Sequence, residues 1–293
     1  MTELVHSSVT AGVATLTLDS QPNRNALSPQ LMSELAAGLA AAVADNAVRV
    51  IVLTHAGRVF CSGADLKATA AATGAGDMPI ASVPTLLTAL AESPKPVVAQ
   101  VGGPARAGGI GLIAACDVAL AGRSASFAFT EVRLGVVPAV ISVPVLPMLA
   151  PRAARELFLT GEVFDATRAA EIGLITRVVD DAELDAEVSR YVDMLALGAP
   201  GALAATKDLL AHPSQDYAAL SALSAERFAS SEGREESKSP RPSKSVRTIS
   251  FLIFIGAMAW LSSCTKYDAT VSGPSSSTSG RLKYNRSVAR QAD

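Results

Sequence analysis

Phe60-Cys61-Ser62-Gly63-Ala64-Asp65-Leu66 and Pro104-Ala105-Arg106-Ala107-Gly108-Gly109-Ile110-Gly111 are the stretches whose reading decides the fold. Each is a Gly-centred segment placed where an apolar strand ends, so each reads as a strand-to-helix turn. Small residues at Gly63, Ala64, Gly108 and Gly109 let a ligand come close to the backbone, and glycine also tolerates positive φ. Two backbone N–H groups, one from each turn, can then meet a single carbonyl oxygen. An enolate or tetrahedral anion is stabilised mainly by such preorganised donors, and losing one costs about 3 kcal/mol of barrier stabilisation. Either segment alone also fits a tight turn with no ligand.

Working outward, Val48 to Thr54, Pro96 to Val101 and Asp117 to Ala121 are short, nearly continuous apolar runs, as expected of strands covered on both faces of a mostly parallel sheet. Helical segments lie between them at Ser82 to Glu92 and Gly109 to Ala115, so strand and helix alternate and the class is α/β. Near the start, Val13, Thr15 and Thr17 alternate with Ala14, Leu16 and Leu18, which predicts a strand paired with Leu4 to Ser8 through Thr10-Ala11-Gly12. Gln21 to Asn25 reads as a loop. Ser28 supplies an N-cap with Pro29 at the first helical position, for a helix to about Asp45. From Pro138 to about Arg227 the period is helical, with breaks at Gly161, Gly173 and Gly198-Ala199-Pro200. An α/β core ending near Val137 and a helical region after it are therefore expected.

With 293 residues and a formal net charge of -2, the chain can bury one large core or two modest ones, and no basic track is present to follow a phosphate backbone. No nucleic-acid partner is expected, and a small ligand is. Cys61, Cys116 and Cys264 show no CxxC spacing and no nearby His at ligand spacing, which argues against a disulfide framework or a metal site. His6, His55 and His212 form no HExxH pattern and read as structural. The first residues, MTELVHSSVT, lack a basic stretch followed by an apolar one, so a cytoplasmic location is expected.

The end of the chain changes character. From Ser230 the sequence becomes polar and Pro-containing, and residues 234–293 are expected to form a disordered tail. Within it Ile249 to Leu261 is apolar but shorter than the twenty or so residues of a bilayer span. Arg247 to Cys264 resembles a bacterial lipoprotein signal, yet lies inside the chain, which favours an appended, fused or frame-shifted tail.

Four ordered motifs carry a resemblance to a known family: Pro22-Asn23-Arg24-Asn25-Ala26-Leu27-Ser28, the FCSGADLK segment, the AGGIGL segment with Cys116-Asp117, and Glu131-Val132-Arg133-Leu134-Gly135-Val136-Val137-Pro138. Together they make the chain similar to the enoyl-CoA hydratase/isomerase (crotonase) family over residues 1 to about 233. The resemblance implies an α/β crotonase-like ββα superhelix with a helical C-terminal region from about residue 138, and assembly as a homotrimer or hexamer. It also implies that the N–H groups of Ala64 and Gly108 hold a thioester oxygen. Arg24, Ala26, Ala64, Asp65 and Leu66 would line the coenzyme A pocket, with Asp65 near the adenine. Coenzyme A then belongs to the acyl-CoA substrate, and no further cofactor is implied. From its position Asp65 reads equally well as a helix N-cap.

Family hydratases commonly carry two glutamates, at positions that correspond here to Gly111 and Glu131. Glu131 is flanked by apolar residues that raise a carboxyl pKa by desolvation and make it a better proton carrier near neutrality. Its bland alternative is a surface carboxylate paired with Arg133. The resemblance implies an enoyl-CoA hydratase; an isomerase using Glu131 alone and a non-catalytic acyl-CoA binding protein are the alternatives. Pro138 to Ser142 stands where many members have a Gly-rich turn, which alters the acyl pocket wall. Gly109 to Ala114 also fits the GxGxxA pattern of a dinucleotide site, but the helix after it is short and Glu131 lies well beyond the next strand.

Overall fold

In the computed structural model the described residues are 2–65, 68, 70, 79–213 and 216–229. Strands β1 (Val5–Thr10) and β2 (Val13–Leu18) form an antiparallel hairpin whose two-residue link, Ala11-Gly12, has positive φ at both positions (50° and 80°). That geometry matches the twist of the paired strands. The hairpin is the expected one, with its first strand running two residues further than the sequence period suggested.

Helix α1 (Pro29–Ala44) starts where Ser28 accepts a hydrogen bond from the Leu31 N–H at 3.2 Å. Its buried residues Leu31, Met32, Leu35, Leu39 and Ala42 recur at helical spacing. At its other end Lys95 Nζ donates to the carbonyls of Ala42 and Asp45 (2.8 and 2.6 Å), satisfying acceptors the helix leaves open.

Strands β3 (Val50–His55), β4 (Val97–Val101) and β6 (Val118–Gly122) follow, with helix α2 (Val83–Ala91) before β4. Short strand β5 (Ala105–Arg106) and helix α3 (Gly108–Ala114) lie between β4 and β6. The main sheet has the order β1-β2-β3-β4-β6-β9, parallel from β2 onward, where β9 is Arg177–Val179. Alternate residues of β3 serve two cores: Ile51 and Leu53 join the cluster that includes α1, while Val50 and Val52 pack with Leu184, Val188 and Val192 of α7 (Leu184–Ala196). Burial on both faces is why the strand reads as an unbroken apolar run.

A second sheet, β5-β7-β8, is built from β5, β7 (Ser126–Ala128) and β8 (Phe164–Asp165). The remaining helices are α4 (Ala139–Val145), α5 (Pro151–Thr160), α6 (Ala166–Glu171), α8 (Pro200–Ala211) and α9 (Tyr217–Ala229). The breaks fall at the expected places: Gly161 ends α5 in the left-handed region, Gly173 has φ 90°, and Gly198-Ala199 separates α7 from α8.

One expectation is corrected. The sheet does not end near Val137, because β8 and β9 lie within the region read as helical, and β9 adds a parallel edge strand beside β6. Runs of two or three residues are too short to show a period of two, so only pairing with distant partners reveals them. The tail expected from residue 234 lies outside the described residues, as does Cys264. Among the described residues no helix is long and apolar enough to cross a membrane.

Asn25 ties the loop after β2 to the end of β3. It is almost fully buried with φ 52°, accepts from the Ser20 N–H at 2.7 Å, and donates to the carbonyls of Val59 and Ala56 at 2.8 and 3.2 Å. Asn25→Ala leaves those groups without this partner and should lower unfolding free energy by about 2–4 kcal/mol. Chemical denaturation checks this, and a loss below about 0.5 kcal/mol would show that water replaces the amide.

Candidate active site

Three stretches of chain are bound to each other just beyond the sheet. Ser62 N–H donates to the Arg24 carbonyl (3.1 Å), and Leu27 N–H to the Gly63 carbonyl (2.8 Å), beside a parallel bridge between Leu27 and Ala64. On the other side Phe60 N–H donates to Pro104 O (3.0 Å) and Arg106 N–H to Cys61 O (2.9 Å), with a bridge between Cys61 and Ala105. Residues 24–27 and 104–106 thus flank residues 60–64, and the two Gly-centred turns singled out by sequence stand side by side. Gly63 has φ 91°, and a Cβ there would lie 2.8 Å from the Ala107 Cβ. A Cβ on Gly109 would lie 2.7 Å from the Cys61 carbonyl. Glycine at both positions is what permits this approach. Burial pushes the Cys61 thiol up to about 12, so it is a packing group and not a nucleophile.

Among the described residues no acceptor takes the N–H of Ala64 or of Gly108. Both residues line the same cleft, of about 690 Å³. Ala107, just before Gly108, holds φ 48° and ψ -119°, an unfavourable conformation for a residue with a side chain. Such strain costs about 1–3 kcal/mol and persists only where the surroundings enforce it. Here the enforcement is visible: Ala107 N–H donates to Ala128 O (3.2 Å), and Ala107 O accepts from Ile110 and Gly111 (2.9 and 3.3 Å).

The bond to Ala128 also joins this turn to the end of β7, three residues before Glu131. Glu131 sits on a 3-10 turn, Thr130–Leu134, closed by Gly135 in the left-handed region and by Val136 N–H donating to Glu131 O at 2.9 Å. Phe129 anchors the turn from below, its ring 4.2 Å from that of Phe158 and 6.0 Å from that of Phe164. Glu131 lines the cleft, and its Oε2 is buried with no hydrogen-bond partner among the described residues. Burial raises the carboxyl pKa above its ordinary value, with a hydrogen bond from the residue's own backbone acting the other way. Pairing with Arg133 is not what the structure shows, since Arg133 Nε donates to the Thr160 carbonyl at 3.2 Å.

Of the residues expected at the site, Arg24, Ala26, Ala64, Asp65, Gly108 and Glu131 all line this one cleft, and Leu66 lies outside the described residues. Gly111, the position that corresponds to the first family glutamate, is buried within α3 and is not among the residues that line the cleft. Asp65 adopts the N-cap geometry, accepting from the Ala68 N–H at 3.1 Å, while its other oxygen accepts from Asn23 Nδ2 at 2.7 Å. Sequence reasoning missed Asn23 as the partner of Asp65, and it missed Val83 and Ile141 as cleft wall. Only the departure from a Gly-rich turn at Pro138 to Ser142 hinted at the last of these. Among the described residues no three His, Cys, Asp or Glu side chains are grouped to hold a metal ion.

The profile of the enoyl-CoA hydratase/isomerase family matches residues 8–241. A carnitinyl-CoA dehydratase of Proteus mirabilis is 35% identical over 234 residues, 77% of this chain and 84% of its own. A 1,2-epoxyphenylacetyl-CoA isomerase of Escherichia coli is 36% identical over 190 residues, 63% of this chain and 72% of its own. The crystal structure of an enoyl-CoA hydratase from Mycobacterium avium is 45% identical, covers 80% of this chain and 95% of its own, and superposes with a TM-score of 0.65.

The raised pKa of Glu131 has a consequence for stability. A carboxyl whose pKa is higher folded than unfolded contributes stability that is present below the unfolded value and is lost as pH rises through the folded one. Glu131→Gln abolishes that titration, so the variant should gain on the wild type as pH rises from about 4 to 8. Paired denaturation curves across that range check it, and curves that stay parallel would mean the carboxyl is not desolvated in solution.

Proposed function

The chain belongs to the enoyl-CoA hydratase/isomerase family, and on that premise we propose that it hydrates the 2,3 double bond of an enoyl-CoA thioester. The observation that carries this reading is the joint lining of one cleft by two N–H groups without acceptors and one half-buried carboxyl whose Oε2 has no partner among the described residues. The N–H groups of Ala64 and Gly108 hold the thioester oxygen as it gains charge, as preorganised donors that need no reorganisation during the reaction. Glu131 takes a proton from water as the water oxygen bonds to C3 and the double-bond electrons move into the thioester enolate. It then returns that proton to C2, which restores the carboxylate and completes the addition of H and OH. A pKa raised toward neutrality suits a group that must both accept and give a proton.

Arg24, Ala26 and Asp65 contact the coenzyme A part of the substrate in this reading, with the Arg24 guanidinium suited to a phosphate oxygen. No cofactor beyond the substrate's own coenzyme A takes part. Residues 1–233 form the acyl-CoA domain and 234–293 an appended tail, in a cytoplasmic homotrimer or hexamer. The names of the three relatives support thioester chemistry of this kind: water addition, water removal and isomerisation on CoA esters.

Isomerisation is a second reading, favoured by a specific observation: Glu131 is the one carboxylate among the described lining residues that is not already tied to neighbouring groups as Asp65 is. A single base suffices to remove a proton from C2 of a 3-enoyl-CoA and return it at C4 of the dienolate. The absorbance of the conjugated enoyl thioester separates the readings. Crotonyl-CoA should lose its band with the wild type, and Glu131→Gln should slow that loss by about 10²–10⁴-fold. A band that grows from a 3-enoyl-CoA while crotonyl-CoA stays unchanged would replace hydration by isomerisation. Tight binding with neither change would make the protein a non-catalytic acyl-CoA binder.

A further inference from the structure

Gly111 follows Gly108 by three residues on α3, which places the two on neighbouring positions of one helical face. A Cβ built on Gly111 would lie 2.8 Å from Ile141 Cγ2, and 3.4 Å from both Ile141 Cβ and Leu87 Cδ1. Real Cβ atoms do not tolerate the first of these distances, so the space into which a side chain at position 111 would grow is occupied by Ile141. Ile141 belongs to α4, is 3% exposed, and also lines the cleft. It therefore closes position 111 with one side of its side chain while forming part of the substrate wall. The charged residues among the described lining are Arg24, Asp65 and Glu131, and Asp65 is bonded to Asn23 and Ala68. From Leu134 through Val136, Val137, Pro138 and Val140 to Ile141, the wall offers only apolar side chains.

We infer that Ile141 is the specificity-determining residue of this site: it fills the space that a side chain at position 111 would need, and it closes the buried part of the acyl wall against a branched acyl group. The inference rests on the acyl-CoA reading above. A carboxylate side chain at position 111 would begin at less than van der Waals distance from a methyl group of Ile141, with Leu87 as its other apolar neighbour. Proton transfer is left to Glu131 alone because of a packing contact made by a residue thirty positions further along the chain.

The test uses the full chain as wild type, Glu131→Gln, Ile141→Ala, Gly111→Glu and the double variant Gly111→Glu with Ile141→Ala. Gly111→Glu alone should lower Tm and lose turnover, since the new side chain collides with Ile141. The double variant should recover Tm relative to Gly111→Glu, and should raise the ratio of crotonyl-CoA hydration to 3-enoyl-CoA isomerisation about tenfold over Ile141→Ala. A Gly111→Glu protein as stable as the wild type, or a double variant with no recovery, overturns the inference. Should the double variant fail to fold, Ile141→Ala alone decides, by shifting the kcat/KM ratio of a β-branched enoyl-CoA over crotonyl-CoA about tenfold; an unchanged ratio overturns the inference. Glu131→Gln turning over like the wild type would instead defeat the functional reading, and the Tm comparison would still judge the contact between Ile141 and position 111.

Discussion

Everything at the site depends on backbone hydrogen bonds among three segments that are far apart in sequence: residues 24–27, 60–64 and 104–107. Apart from the bond donated by Arg106 of the two-residue β5, none of these bonds involves a helix or a named strand. Each joins a turn that follows one element to a turn that follows another, at the carboxyl ends of parallel strands, where open α/β sheets present crevices to ligands. Two N–H groups are left over from this pairing, those of Ala64 and Gly108, and a strained Ala107 is the cost of placing the second. Small residues at Gly63 and Gly109 are required because the segments approach so closely that a Cβ would collide with the opposite turn.

The carboxyl of Glu131 is governed by the same pairing. Ala107 donates to Ala128, which fixes β7 against the turn, and the 3-10 segment that follows lays Glu131 along the cleft. Its surroundings are apolar and its Oε2 has no partner among the described residues, so burial dominates its pKa. A carboxylate in an ion pair would be held charged and would be a poor proton donor. Arg133, the obvious partner by sequence distance, is instead bonded to the end of α5. The chemistry proposed for this protein therefore follows from a partner that is withheld.

Much of the fold is legible in the chain. The unbroken apolar runs of β3, β4 and β6, the Ser28-Pro29 start of α1, and the glycines that end α5 and follow α6 are local signals, and they fall where the sequence places them. The strands that escape notice are those of two or three residues, β5, β7, β8 and β9, which have no period to display. They exist because a distant strand offers them a ladder. Asp65 shows the same division: its N-cap role is local and readable, while its bond to Asn23 across the cleft is not.

By itself the sequence determined the alternation of strand and helix, the two Gly-centred turns and the candidacy of Glu131, because period, punctuation and small side chains act over a few residues. Only the tertiary structure decided that the turns share a cleft, that Arg133 bonds to the end of α5 and not to Glu131, and that Ile141 closes the position at Gly111. Those outcomes depend on contacts between segments tens of residues apart, and distance through space is not a property that any stretch of the chain carries on its own.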